Sequence, residues 1–594
     1  MSSPPHPTVP PPSAARTRLT LLLIVLALAP LWLIGMFDRA LWTPDEPREA
    51  DIAWRMSWQQ QRLLPQLAGT AFLEKPPLSY WMSAAAIRAW GDSPAAARAP
   101  NLLYAAVTAL AVGALALAME LGMLPALLGA LVAASALTAY RVAAWLAPDA
   151  CLLAACALAL LGAWLGFRAP AGKAKLAGYA LLHLGAALAF MAKSAPGWLV
   201  PGLALLTLVA WERRWSELRR LELYAGLALQ ALIIGPWVIA VARSPHGSDA
   251  LRTLFWNNVV GRFTQVGAPA GLDYTSGHQN TPGKYLLGLP VYLLPWTLIV
   301  TAALARAGSR ARVPDPQRTA WRFAITASIP FIIVLSLAAT ARDIYCAPAL
   351  LGFGLLAGLW AADLERRTSR LDRLALLGTV VLIGVVALAL AAALAALGAA
   401  GAAARSVCVV AATGVLAIAA VGLGCAARAL RRRAPLRSLV WCYASYAALL
   451  CVAACAAFPV IDRWQDLPAL SARIHADTAA TSLALLDPDE TTVAMLDHGF
   501  NTSGSVLTSA GSEPRRLVSA WFASHGAAAR VLVLLPGHAS GPVTELLAHT
   551  SRAPAAAADG VAAALVAAGA ARLARRYELP QGRRYALLAP PPAD

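Results

Sequence analysis

Two short stretches carry residue types that could do chemistry. The first reads Trp42-Thr43-Pro44-Asp45-Glu46-Pro47-Arg48-Glu49-Ala50-Asp51, and the second Phe72-Leu73-Glu74-Lys75-Pro76-Pro77-Leu78-Ser79-Tyr80-Trp81. Adjacent carboxylates between two prolines, with an arginine close behind, make a stiff charged turn, because each proline fixes its own φ and restricts the residue before it. A carboxylate so held can take a proton or orient a hydroxyl. A fixed arginine or lysine can bind an anion and stabilise negative charge that grows during a reaction. In the second stretch an acid and a base precede two prolines and an aromatic pair, which suits an anionic head group at the depth of a membrane interface. Each stretch also has a plainer reading: Asp45 capping a helix start, Arg48 paired with Asp51 or Glu49, Lys75 snorkelling and Trp81 in an aromatic belt.

The elements that must hold these residues follow from composition. The 594 residues are 59% hydrophobic and 13% charged, with a mean hydropathy of +0.60. These proportions belong to a membrane-embedded chain and exclude a soluble enzyme. The 49 Lys and Arg exceed the 31 Asp and Glu by 18. Because they cluster between apolar runs, they signal topology and not a nucleic-acid partner. Thirteen runs of roughly 20 apolar residues, enough to cross about 30 Å of hydrocarbon as helix, lie near 19–36, 100–119, 122–141, 145–166, 176–192, 195–211, 223–241, 284–305, 321–340, 344–361, 373–399, 407–428 and 436–458.

With the N-terminus inside, five of the six inner links are strongly basic, as the positive-inside rule requires. They hold Lys173 and Lys175, then Arg213 to Arg220, Arg306 to Arg322, Arg366 to Arg373 and Arg428 to Arg437. The expected fold is thus a mainly α-helical polytopic membrane protein of about 13 transmembrane helices. Residues 1–18 form a disordered cytoplasmic tail, followed by an uncleaved signal anchor. Residues 19–458 form the transmembrane domain, with long outer loops at 37–99 and 242–283. Residues 459–594 form a small C-terminal extracytoplasmic α/β domain. In that last part Thr492–Leu496 and Arg530–Leu535 read as short apolar stretches between helical patterns at Gln465–Ala479 and Val543–Ser551. The eight Cys sit in or beside spans, and the nine His form no close group with them, so neither a disulfide framework nor a metal site is expected.

The pieces DEPREADIAWRM and FLEKPPLSYW, in a loop after the first span, resemble the first outer loop of the bacterial GT-C integral-membrane glycosyltransferases that use polyprenyl-phosphate sugars. This group includes the lipid A aminoarabinose transferases and is related to the protein O-mannosyltransferases. The likeness continues through Arg98-Ala99-Pro100-Asn101, Ala147-Pro148-Asp149, Lys193-Ser194-Ala195-Pro196-Gly197, Gly261-Arg262-Phe263 and Arg342-Asp343-Ile344-Tyr345. It implies a GT-C fold, an undecaprenyl-phosphate sugar as donor, no required cofactor, and lipid A or another envelope acceptor at the periplasmic face of the inner membrane. It also implies Asp45 as the catalytic carboxylate, and a single displacement with inversion at the anomeric carbon.

Within that expectation Arg48, Lys75 and Arg262 bind the carrier phosphate, together with Lys193, Arg342 and Tyr345. Glu46, Glu74 and Asp149 orient the substrates; a helix cap is the other reading of Asp149, and a snorkelling anchor that of Lys193 and Arg342. Two departures bear on the acceptor and on the phosphate site. Asn258 and Val259 stand where the aminoarabinose transferases carry a Glu-His pair, and Arg342 stands where many relatives carry lysine. Two other functions compete: transfer from the same donor to protein or another glycan, and transport of a lipid-linked sugar without transfer.

Overall fold

The computed structural model describes residues 13–59, 62–260, 280–281, 283–338, 342–399, 401, 404–500, 505–509, 513–535 and 560–592. Every one of the thirteen apolar runs has a helical counterpart. Nine described helices are long and apolar enough to cross a membrane, from Ala14–Leu33 to the one that begins at Pro435. Two further runs are bent pairs, Met123–Ser135 with Leu137–Ala144 at 65° and Lys284–Tyr292 with Thr297–Arg310 at 119°. The remaining two, Pro196–Glu212 and Ala349–Leu364, have 17 and 16 residues. At about 1.5 Å per residue they fall short of a full hydrocarbon layer. The polytopic helical class stands, with nine to eleven full-length spans in place of about thirteen.

Ion pairs gather the predicted inner links at one end of the bundle. Arg306 and Arg310 reach Asp363 at 3.0 and 2.6 Å, Arg322 reaches Glu212 at 3.2 Å, and Lys175 reaches Glu217 at 2.9 Å. Helices Pro148–Arg168 and Lys173–Lys193 run from that end to the other. Their contact is close because glycines line it: a Cβ on Gly162 would lie 2.1 Å from the backbone nitrogen of Leu182, and one on Gly185 would lie 2.4 Å from that of Ala159. Small residues let the two backbones approach, as is common where lipid supplies no hydrophobic drive. This fixes the separation of their far ends, which carry Asp149 and Lys193.

At that far end the helix Glu46–Trp58 is the organising element. Pro47 enters its first turn, where the missing N–H costs nothing. Its faces do different work. Ala50 and Ala53 pack on Ile87, Ala96, Ala97 and Leu146, whereas Ile52 and Met56 pack on Phe72, Tyr80 and Ala84 of the next segment. Glu46 is fully buried and accepts from Arg39 (2.5 and 2.8 Å), Arg98 (3.0 and 2.8 Å), and the backbone N–H groups of Trp42 and Leu146. Burial alone would raise its carboxyl. The charges of Arg98 and Arg39 and their hydrogen bonds outweigh that and hold it at about 2.

Glu46 therefore ties the helix to the bundle. Replacing it leaves two buried guanidinium groups without a counter-ion, which costs about 3–5 kcal/mol. Glu46→Ala should melt at clearly lower temperature in detergent, by intrinsic fluorescence on heating. An unchanged melting curve would remove this structural role. Because the folded value lies below the ordinary one of 4.5, the stabilisation is complete above that pH and fades as pH falls through about 2.

The C-terminal residues form a five-stranded sheet in the order Ser505–Leu507, Ser482–Leu486, Ala529–Leu535, Arg584–Ala589, Arg572–Glu578. The first three strands are parallel and the last two antiparallel additions. Helix Leu467–Thr478 and strand Ala529–Leu535 agree with the sequence reading; Val543–Ser551 lies outside the described residues. Thr492–Leu496 does not. It lies inside helix Glu490–Phe500, because Asp489 Oδ1 accepts from the N–H of Thr492 at 2.9 Å and caps a helix start that outweighs the β-branched run.

Candidate active site

Asp45 stands at the N-cap of helix Glu46–Trp58, yet its side chain caps nothing. It is taken instead by Arg342, whose two terminal nitrogens donate to the two carboxylate oxygens at 2.9 and 2.6 Å. Arg48, one turn along the helix, adds a bond to Asp45 at 3.1 Å and another to Glu49 at 2.9 Å. The i, i+3 and i+4 spacing puts Asp45, Arg48 and Glu49 on one face. Lys75 meets that face from the second stretch, with its ammonium 3.1 Å from Glu49 and 3.2 Å from Glu74. Pro76 and Pro77 then lead directly into helix Leu78–Trp90 and leave Glu74 and Lys75 in a short fixed segment.

Electrostatics follow from this crowding. Burial raises the Asp45 carboxyl, but the Arg342 hydrogen bonds and the charges of Arg48, Arg342 and Lys75 prevail and bring it down to about 2. Burial lowers Lys75, and the carboxylates of Glu49 and Glu74 more than reverse this, so the ammonium is held charged. Arg342 is likewise pushed up through Asp45, against its own desolvation.

Of the residues expected from sequence, Asp45, Arg48, Glu74, Lys75 and Arg342 come together. Lys193 and Asp149 form their own pair at 2.5 Å, with the Lys193 ammonium 4.2 Å from the centre of the Tyr345 ring. Tyr345 sits one short turn after Arg342 and so joins that pair to the main cluster. Glu46 points away into the structural knot described above. Arg262 lies outside the described residues, as does most of 242–283 beyond its first half. Asn258 donates to the carbonyl of Leu73 at 2.5 Å and thus fastens its segment to the Glu74–Lys75 segment.

Three participants were not foreseen as site residues. Glu49 is the bridge between Arg48 and Lys75; its spacing from Asp45 was the available signal. Glu490 and Asp497 come from the C-terminal domain, where Glu490 pairs with Arg48, and Asp497 with Arg55 through two nitrogens. Thr491 also donates to the carbonyl of Pro44, and His498 meets Asp92. The domain is therefore docked along helix Glu46–Trp58, directly over the cluster. Toward the C-terminal ends of helices Glu46–Trp58 and Leu78–Trp90, a cavity of about 530 Å³ is lined by Arg62 and Arg88 with Met56, Leu63 and Trp81.

Comparison with known proteins gives one consistent picture. The pattern of the family described as dolichyl-phosphate-mannose-protein mannosyltransferase matches residues 74–239. Relatives named undecaprenyl phosphate-alpha-4-amino-4-deoxy-L-arabinose arabinosyl transferase include one from Edwardsiella ictaluri, 31% identical over 57% of this chain and 58% of its own. Another, from Pseudomonas paraeruginosa, is 30% identical over 61% of this chain and 63% of its own. The chain thus spans about three fifths of the length of these relatives. ArnT from Cupriavidus metallidurans, solved bound to undecaprenyl phosphate, superposes with a TM-score of 0.67 at 19% identity, covering 96% of this chain and 98% of that one. The two chains share a fold.

Proposed function

We propose that this protein is an inverting glycosyltransferase that moves a sugar from an undecaprenyl-phosphate carrier to a phosphate of lipid A, at the periplasmic face of the bacterial inner membrane. The observation that carries the reading is the meeting of Asp45, Arg48, Lys75 and Arg342 at one end of a helical bundle. A polyprenyl-phosphate sugar keeps its tail in lipid and its phosphate at the interface. An acceptor oxygen attacks the anomeric carbon as the bond from that carbon to the carrier phosphate breaks, and the bonding pair leaves with the phosphate. Fixed cations beside that oxygen stabilise the transition state more than the ground state. One displacement inverts the anomeric carbon.

The acceptor is read from Asp45. A carboxylate held at about 2 is a weak base for an alcohol, whose proton must leave during attack. A phosphate acceptor arrives already ionised and asks of Asp45 only that it orient Arg48 and Arg342. The groove between Arg62 and Arg88, apolar at Met56, Leu63 and Trp81, suits the phosphorylated head of a membrane glycolipid. Replacing both arginines with Ala should raise the KM for lipid A roughly tenfold and leave the donor KM unchanged. An unchanged lipid A KM would remove the groove from acceptor binding.

The direct test is product analysis by mass spectrometry with purified protein, undecaprenyl-phosphate aminoarabinose and lipid A. Transfer with release of undecaprenyl phosphate is expected. Sugar on a protein or another glycan, with lipid A untouched, would overturn the acceptor. Carrier moved across vesicles with no phosphate released would overturn catalysis altogether.

A further inference from the structure

Arg48 divides its hydrogen bonds in an unequal way. One terminal nitrogen is committed inside the outer loop, to Asp45 and Glu49, whereas the other is held by Glu490 of the C-terminal domain. Glu490 is also the most accessible carboxylate of the group: its side chain keeps 33% of its surface exposed, against 8% for Asp45, 2% for Glu49 and 8% for Glu74. Among the described residues the cluster has three cations, Arg48, Lys75 and Arg342, facing four carboxylates, Asp45, Glu49, Glu74 and Glu490. A further anion entering so crowded a site meets repulsion unless one carboxylate withdraws.

We propose that Glu490 is a positioning residue that occupies the place of the carrier phosphate on Arg48 in the free enzyme and is displaced when the lipid-linked donor binds. This rests on the carrier reading given above and adds the C-terminal domain to the donor site. The exchange needs only a side-chain rotation, because the domain stays anchored by Arg55 with Asp497 and by Thr491 with Pro44. Departure of Glu490 frees one side of the Arg48 guanidinium while Asp45 and Glu49 hold the other, so the cation is already aimed when the phosphate arrives. The groups that face Glu490 are Arg48 on the outer helix, and Glu74 and Lys75 on the segment before helix Leu78–Trp90. Burial and Glu74 raise its carboxyl despite Arg48 and Lys75, so protons compete for it at a higher pH than for an ordinary glutamate. Protonation removes the competing anion, and donor affinity rises as pH falls through the Glu490 titration.

The test measures binding, not turnover, on the full-length protein in detergent. The probe is farnesyl methyl phosphate, an unreactive phosphodiester whose single charge does not titrate near neutrality. Glu490→Gln should bind it roughly tenfold more tightly than wild type at neutral pH, about 1.4 kcal/mol, and should lose the pH dependence. Glu490→Ala should shift affinity the same way. A residue that merely fastened the domain would weaken binding when changed. Equal or weaker binding by both variants, with wild type binding well, overturns the exchange. No binding by wild type overturns the carrier reading and the exchange with it.

Discussion

Asp45→Asn lowers kcat by roughly 100-fold or more, with the protein still extracted folded from membranes but melting at a lower temperature, because two ion pairs lose their carboxylate. The magnitude follows from what the side chain holds. Arg342 makes both of its short contacts to the two Asp45 oxygens, and Arg48 makes a third. An amide keeps one acceptor and presents an NH2 group to a guanidinium, so Arg342 loses its fixed place beside the reacting atoms. Loss of one preorganised donor typically costs about 10²–10³ in turnover. The pH profile adds a second check. The Asp45 carboxyl is depressed to about 2 from 3.8, so its contribution is complete above the ordinary value and vanishes only as pH falls through about 2. Any acid limb at mildly acidic pH must therefore come from another group and must persist in the residual activity of Asp45→Asn. Wild-type turnover in this variant would take Asp45 out of the mechanism.

Lys75→Ala should be at least as damaging, by roughly 10²–10³ in kcat/KM, and should also weaken binding of a carrier phosphodiester. The ammonium lies between Glu49 and Glu74, so its removal leaves two buried carboxylates facing each other with only Arg48 between them. The pocket then repels the phosphate it should attract. Lys75→Arg tests whether charge alone suffices. Arginine restores the charge, but its planar fork does not fit a point between two carboxylates, so partial recovery is expected. Carrier binding and turnover both at wild-type level in Lys75→Ala would show that this cation does not face the phosphate.

The local patterns in the sequence reached far, for physical reasons that can be named. Continuous apolarity over roughly 20 residues located each helical run, because lipid forces backbone groups to pair within a segment. Arg306, Arg322 and Lys175 marked one end of the bundle, and the ion pairs collect them there. Asp45 and Lys75 were legible because prolines fix short charged segments. The neighbouring Glu46 was misplaced by the same reasoning: successive residues on a helix point about 100° apart, so of two adjacent acids one faces Arg342 and the other Arg98. Glu490 and Asp497 were not legible at all. Their partners lie 442 residues away in the chain, and nothing in the spacing of Asp487, Asp489 and Glu490 marks which acid will reach across. Thr492–Leu496 misled because residue preference in a short window is weaker than one well-placed cap.

The seam along helix Glu46–Trp58 constrains how this architecture can be recombined. Arg48 with Glu490, and Arg55 with Asp497, are matched halves contributed by opposite ends of the polypeptide. A hybrid that joins the bundle of one homologue to the terminal sheet of another would bring together mismatched halves, unless residues 45–58 travel with the sheet they were selected against. Productive crossovers should therefore leave both halves to a single parent, and inheritance in this lineage should treat two distant segments as one unit.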